Sequence, residues 1–482
     1  MADLWRLSAV ELLAAYASRE LSPVEVAEDA FRRIERLNPA LRAYLGLNYD
    51  DALATAKAAE KLWLQQGETP LLCGVPVSIK DTIEMAGLPT TYGSLAFRNN
   101  LQPDSEVARR LHQAGAVILG KTNTPEFALL GETRNRLGDP GANPWNVDHT
   151  CGGSSGGAAA AVAAGLGPLA VGTDSGGSVR EPAAYCGIFG LKPTYQRIPA
   201  VQVWRASPNR SHNGLLTRSV SDAALMMLAL AGPDPRDASS LNLPEVDSWA
   251  SLAYATGSGV SARGLSEVSG ARIAVSHNFG HAPALDAEVL AALDEAVRLL
   301  TGLGCEVVPS DPPSLEPRDE LEPGVWAYSG DHYAAVESMT PGFWEKHADD
   351  LTDYIRPVYD TGRRALAWQY RRILRRNQSH LMQVQEWFRP YDFLLAPVAS
   401  SPAPRLDREP PRLPGQRELG HLVGFNIAQN PAAAVPFGFH SSGLPLSIQI
   451  VGKLGDDLGV LRMAAAIEAE RPWAGYWPAI AE

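Results

Sequence analysis

The stretch CGGSSGGA, residues 151–158, followed by GTDSGGSVR, residues 172–180, is the most informative part of this 482-residue chain. Gly/Ser runs in isolation are commonly flexible linkers. These two are flanked by apolar sequence. Residues 158–164, nearly all alanine, read as a buried helix after the first run, and residues 169–171 read as a buried strand before the second. The segment EPAAYCGIFGLKPT, residues 181–194, follows the second run directly. Glycine at such density costs conformational entropy, so the backbone there must adopt shapes, or approach other groups closely, in ways that side chains would forbid.

Working outward, helix and strand patterns alternate. Ser8 with Glu11, and Ser22 with Pro23 and Glu25, are capping-box starts that predict two amphipathic helices. Residues 72–79 form a short apolar run. Residues 105–114 predict a helix ending at Gly115, and 117–119 a strand; helices at 222–231 and 285–300 alternate with strands at 272–275 and 306–308. This is the pattern of a layered α/β fold. From 312 to 418 the texture changes to aromatic and Arg-rich helical segments and then a Pro/Arg-rich stretch without periodicity, read as a helical insertion followed by an irregular loop. Short apolar runs return at 425–466 and complete the sheet, with a closing helix from Asp457. We therefore treat 1–482 as one α/β domain, with a core at 60–235 and a divergent insertion at 312–420 that shapes the substrate pocket.

Bulk properties exclude several classes. A formal charge of −12 disfavours nucleic acid and anionic membrane as partners. No run approaches the roughly 20 apolar residues of a membrane span. Cys73, Cys151, Cys186 and Cys305 are far apart and read as four buried thiols. The ten histidines show no metal-ligand spacing, so neither metal nor other cofactor is expected. The N-terminal residues lack the pattern of a secretory signal, which favours a cytoplasmic enzyme.

Hydroxyls set in glycine-rich backbone suit acyl transfer. A serine nucleophile needs a base for its proton, and the oxyanion that develops needs backbone N–H donors unobstructed by side chains. Ser175, Gly176, Gly177 and Ser178 are placed to supply such a cradle.

At this point the sequence resembles the amidase signature family. The resemblance rests on GGSSGG, GTDSGGSVR and CGIFGLKPT in order, with supporting stretches GVPVSIKD (74–81), GKTNTPEFA (120–128), NPAAAVPFG (430–438) and GLPLSIQIVG (443–452). It spans residues 5–235 and 420–475 and fades between them. The resemblance implies a large mixed β-sheet flanked by helices on both faces, and hydrolysis of amides through a Ser-Ser-Lys triad. Carried over by position, Ser178 is the nucleophile, Ser154 the bridging serine after a cis peptide from Gly153, and Lys80 the base. Ser175, Gly176 and Gly177 are then the oxyanion donors. Ser155, Asp174 and Arg180 support the loops, and Cys151, Gly152 and Gly153 contact substrate. Cys151, Ala158 and Ser175 depart from the residues most frequent in the family, without removing a triad group.

A lysine amine titrates near 10.4 in water, so Lys80 acts as a base at neutral pH only if its environment disfavours the ammonium. Asp81 would oppose that, but neighbours on a strand face opposite ways. The expected partner is a small amide, with esters and carbamates (urethanes) open because an acyl-serine route needs no N–H in the bond cut, and the chain is expected to be a monomer or homodimer. Two other readings compete with this one. One is the glutaminase subunit of a tRNA-dependent amidotransferase, from whose pattern residues 195–219 depart. The other is a P-loop nucleotide hydrolase, since GAVILGKT (115–122) matches that motif by letter; a helix precedes it and strand-forming residues fill it, which disfavours a phosphate loop. The aromatics Trp326, Tyr328, Tyr333, Trp344, Tyr354, Trp368 and Tyr370 read equally as core or as pocket lining. The six arginines between 363 and 376 read as a solvated, salt-bridged helix face.

Overall fold

The two capping boxes form as predicted in the computed structural model, which describes residues 3–65, 67–204, 207, 209–243, 268–280, 284–314, 321–408 and 420–482, with side chains of the helix at 321–339 described from 329 onward. Ser8 caps the helix Ala9–Ser18 and Ser22 caps Pro23–Leu41, each with its glutamate three residues on returning to the cap amide. The strands are β1 (Tyr44–Leu47), β2 (Pro76–Lys80), β3 (Val117–Thr122), β4 (Ala142–Asn143), β5 (Asn146–Thr150), β6 (Leu169–Asp174), β7 (Phe189–Lys192), β8 (His212–Thr217), β9 (Arg272–Val275), β10 (Glu306–Pro309), β11 (Phe393–Pro397), β12 (Ala432–Phe439) and β13 (Pro445–Gly452).

Among the described residues eleven of these form one mixed sheet in the order β1-β3-β2-β6-β8-β7-β12-β13-β11-β9-β10, while β4 and β5 make a separate hairpin. Strands β3, β2 and β6 run parallel at one end, and β11, β9 and β10 at the other. Antiparallel pairings join the two parallel groups through β8, β7, β12 and β13. The mixed α/β architecture expected from the sequence is therefore present. The strand Phe393–Pro397 is a departure: it lies inside the region read as helical insertion and loop, yet it is buried in the sheet between β13 and β9. Its run of five apolar letters carries no alternation, because both of its faces are covered.

Strand alternation sorts side chains to two cores. Val77 and Ile79 of β2 join Leu169 and Val171 of β6 on one face, packed under the helices Ala9–Ser18, Val220–Leu230 and Asp457–Glu470. Ala170 and Leu216 face the opposite core, where the helix Gly156–Ala163 is buried on every side. A helix of glycine, alanine and one valine is thin enough to lie there.

Three of the helices on the first face are tied through two carboxylates. Asp222 accepts from the amides of Ala9 (3.1 Å) and Val10 (3.2 Å), and Glu468 accepts from the amide of Val220 (3.2 Å), each at an unsatisfied helix N-terminus. Burial pushes the Asp222 carboxyl up to about 7 and that of Glu468 up to about 8, with the charge of Asp222 adding to the latter. Unfolded carboxyls titrate near 4, so between about pH 4 and 7 the folded chain holds more protons than the unfolded one. Stability gained from these protons is fully present below about pH 4 and is lost as pH rises through 7 to 8. We predict that the urea midpoint falls from pH 5 to pH 8, and that Asp222→Asn flattens this slope; an unchanged slope in the variant would assign it to other groups.

Candidate active site

The carboxyl ends of β2, β3 and β6 lie side by side, the usual position for a site in a parallel sheet. Lys80 is the last residue of β2 and shares a face with Ser78, which lies against Tyr44. It is fully buried. Its Nζ donates to Ser154 Oγ at 2.6 Å and to Thr173 Oγ1 at 2.9 Å. Burial holds the Lys80 ammonium well below the ordinary lysine value, and the charge of Asp174 opposes this without reversing it. Asp81 points the other way. Its carboxylate accepts from Thr91 and lies 3.7 Å from Lys121 Nζ. Lys121, the lysine of the letter-perfect P-loop match, is buried in β3 and donates to Thr90 Oγ1 and the carbonyl of Ile83. Residues 117–122 are strand, so no phosphate loop exists there.

The two glycine-rich loops are joined backbone to backbone. The Ser155 amide donates to the Ser178 carbonyl at 3.0 Å. Ser155 Oγ donates to the Thr173 carbonyl (3.1 Å) and accepts from the Thr173 amide (3.2 Å), fastening the GGSSGG loop to β6. The Gly153–Ser154 peptide is cis. The Ser178 hydroxyl is half-buried and makes no hydrogen bond among the described residues. The amides of Ser175, Gly176 and Ser178 likewise have no acceptor among the described residues, while Ser175 Oγ lies 2.7 Å from Ser211 Oγ.

One sequence expectation needs correction. Gly177, placed among the oxyanion donors, has its amide engaged by Asp174 Oδ1 at 2.7 Å. What requires glycine there is shape: φ is +127° and a Cβ would approach Leu422 to 2.3 Å. Cys151, Gly152 and Gly153, expected to contact substrate, are buried beside Ser154. The Cys151 thiol is fully enclosed, and a Cβ on Gly153 would stand 2.7 Å from the carbonyl of Leu130. The other three cysteines are also free and buried.

Behind the second loop lies a charged network. Arg180 donates to both oxygens of Asp174, through Nε at 3.0 Å and Nη2 at 3.1 Å, with neither side chain exposed. Asp174 also accepts from the amide of Val179 and from Asn426 Nδ2 (2.8 Å), while Arg180 reaches Asn426 Oδ1 (2.7 Å) and Gln449 Oε1 (2.7 Å). Burial alone would raise the Asp174 carboxyl, but Arg180, by charge and hydrogen bonds, helped by Lys192, holds it far below the usual carboxylate range. Lys192 and His212 are enclosed nearby, and burial drives both toward their neutral forms.

Sequence reasoning missed Thr173, Asn426 and Gln449. Gln449 left one signal, a large polar side chain between Ile448 and Ile450 in a largely apolar strand, where it demands a buried partner. His149, which lies near the serine loop in sequence, has its Nδ1 2.7 Å from the carbonyl of Ala403. Of the insertion aromatics, Trp368 is 61% exposed, whereas Tyr354 joins the insertion to the core through the amide of Glu126 and the carbonyl of Arg134. The side chains of Trp326 and Tyr328 lie outside the described residues. Arg363, Arg364, Arg371 and Arg372 are exposed, and Arg363 pairs with Asp360.

Comparison with known proteins identifies the family. The family described as Amidase matches residues 25–461. An acylamidase of Rhodococcus erythropolis is 36% identical across 99% of this chain and 98% of its own length. A glutamyl-tRNA(Gln) amidotransferase subunit of Gloeobacter violaceus is 32% identical across 98% of each chain. Among solved structures, a bacterial aryl acylamidase of the amidase signature family superposes with a TM-score of 0.87 at 28% identity, covering 98% of both chains.

Removing one member of a buried ion pair leaves the other charge unpaired. Arg180→Ala should therefore cost about 3–5 kcal/mol of stability in urea denaturation. Arg180→Lys should recover only part of it, because an ammonium cannot reproduce the two-pronged contact with Asp174; full recovery would show that charge alone matters.

Proposed function

The chain belongs to the amidase signature family and is an amide-hydrolysing enzyme, and on that premise we propose that it is a free-standing acyl hydrolase in which Ser178 is the nucleophile, Ser154 the bridge and Lys80 the base. The observation that carries this reading is the environment of Lys80. A buried amine whose hydrogen-bond partners are two hydroxyls, with no carboxylate in contact among the described residues, is favoured in its neutral form and ready to take a proton.

In the proposed cycle Ser178 Oγ attacks the substrate carbonyl. Its proton passes to Ser154 Oγ as the Ser154 proton passes to Lys80 Nζ. The amides of Ser175, Gly176 and Ser178 then receive the oxyanion. Collapse of the tetrahedral adduct breaks the C–N bond, and the proton returns from Lys80 through Ser154 to the departing nitrogen, so the amine leaves neutral and the acyl group remains on Ser178. A water attacks the ester, gives its proton to the same relay, and releases the carboxylic acid with Ser178 restored. Asp174 and Arg180 hold the nucleophile loop and take no proton. The second step cleaves an ester, so esters and carbamates fit the same chemistry.

Relatives include both an acylamidase and an amidotransferase subunit. The free-standing reading is supported by residues 195–219, which depart from the subunit's pattern. It is tested by assaying the purified chain alone, where release of amine from simple amides without ammonia from glutamine is the expected result.

Lys80→Ala should lower turnover of a small aryl amide at pH 7 by about 10²–10⁴-fold. In the intact enzyme, activity should be full above the lowered titration point of Lys80 and fall as pH drops through it, since protonation removes the acceptor. Undiminished turnover in Lys80→Ala would take the lysine out of the mechanism.

A further inference from the structure

The segment that departs from the amidotransferase pattern is tethered to the proposed site at two points. Val203 bridges Ile83, and the Trp204 amide donates to the carbonyl of Thr82 at 3.0 Å, two residues beyond Lys80. Thr82 Oγ1 in turn lies 3.5 Å from Thr173 Oγ1, the second partner of Lys80. At the other end Ser211 Oγ donates to the Ser207 carbonyl and lies 2.7 Å from Ser175 Oγ, three residues before Ser178. Trp204 is therefore fixed beside the strand that carries the lysine, and Ser211 beside the loop that carries the serine.

Its side chain is 8% exposed and packs among aromatic rings, with Tyr92 at 5.3 Å, Phe127 at 5.5 Å and His332 at 6.1 Å between centroids. Tyr92 and Phe127 both have φ of +53°, and Phe127 donates its amide to the carbonyl of Tyr92 at 2.7 Å. Two bulky residues in the left-handed region hold these rings in place at a conformational cost, a condition that gathers at ligand-contacting walls. Within this apolar cluster the indole Nε1–H of Trp204 has no acceptor among the described residues. A buried indole N–H normally finds a partner, and one left without is costly.

We infer that Trp204 is a specificity-determining residue whose indole N–H donates to an acceptor atom on the substrate, so that the enzyme selects amides carrying an aromatic or apolar substituent with an ether or carbonyl oxygen within reach of the Tyr92–Phe127–Trp204 wall. The inference rests on Ser178 and Lys80 being the reacting pair. It adds a chemical requirement at a point away from the scissile bond. A site built to hydrogen-bond a substrate oxygen discriminates against the analogue lacking it, because the donor is then left unpaired.

The test uses two matched pairs of anilides on the full chain: phenoxyacetyl against 3-phenylpropanoyl on the acyl side, and 4-methoxyanilide against 4-ethylanilide on the amine side. The intact enzyme should prefer the ether member of one pair in kcat/KM, and Trp204→Phe, which keeps an aromatic ring and removes the donor, should lower kcat/KM for that member by about 10-fold, the scale of one hydrogen bond. The loss on its hydrocarbon counterpart should be several-fold smaller, and an unchanged circular dichroism spectrum reports that the variant is folded. Equal loss on both members, or no ether preference in either pair for the intact enzyme, would overturn the inference while leaving the acyl-serine reading in place. Absence of turnover with all four compounds would overturn both.

Discussion

The loop that carries Ser178 depends on one buried ion pair. Asp174 closes β6, and its two oxygens collect the Arg180 guanidinium, backbone amides of the following turn and the Asn426 amide. Isolated, either charge would be too costly to enclose; together, with their hydrogen bonds filled, they fix the tight turn between them. The same pairing protects the lysine. Asp174 acts to keep Lys80 protonated, and that pull is weaker than the burial that opposes it. Arg180 neutralises Asp174 at contact distance. The loop support and the neutral state of the amine are thus two results of one pair.

Much of this was legible in the sequence for specific reasons. Glycine-rich runs pinned between apolar elements announced close backbone approach, and Gly153 and Gly177 meet the Leu130 carbonyl and the Leu422 side chain. Strand alternation put Lys80 and Asp81 on opposite sides, and their partners differ accordingly. Other parts left no local trace. An unbroken apolar run such as 393–397 does not say whether it is strand or helix. Which amides remain free in a loop depends on where a carboxylate turns, so Gly177 and its neighbours look alike by letter. Asn426 and Gln449 are separated from Arg180 by well over two hundred residues, and no periodicity reports a contact of that range.

The helical insertion reaches the site from outside the sheet. Glu126, buried, accepts from Ser94 Oγ at 2.6 Å and from the Thr352 amide at 2.7 Å. One carboxylate thus ties the middle of the insertion to the loop that carries Phe127. Substrate preference and fold integrity meet at that residue, since Phe127 belongs to the aromatic cluster beside Trp204.

The distant partners of Arg180 also bear on how the molecule is made. Leu422, Asn426 and Gln449 all contact the guanidinium, and they leave the ribosome long after the serine loops do. A nascent chain holding residues 1–235 contains both proposed serines and the lysine, but not the groups that complete the turn. Pairing of such long sequence separation is slow to form and exposes intermediates to misassembly. Hydrolytic competence therefore arrives late in synthesis, when β12 and β13 close the middle of the sheet, rather than growing stepwise with the length of chain produced.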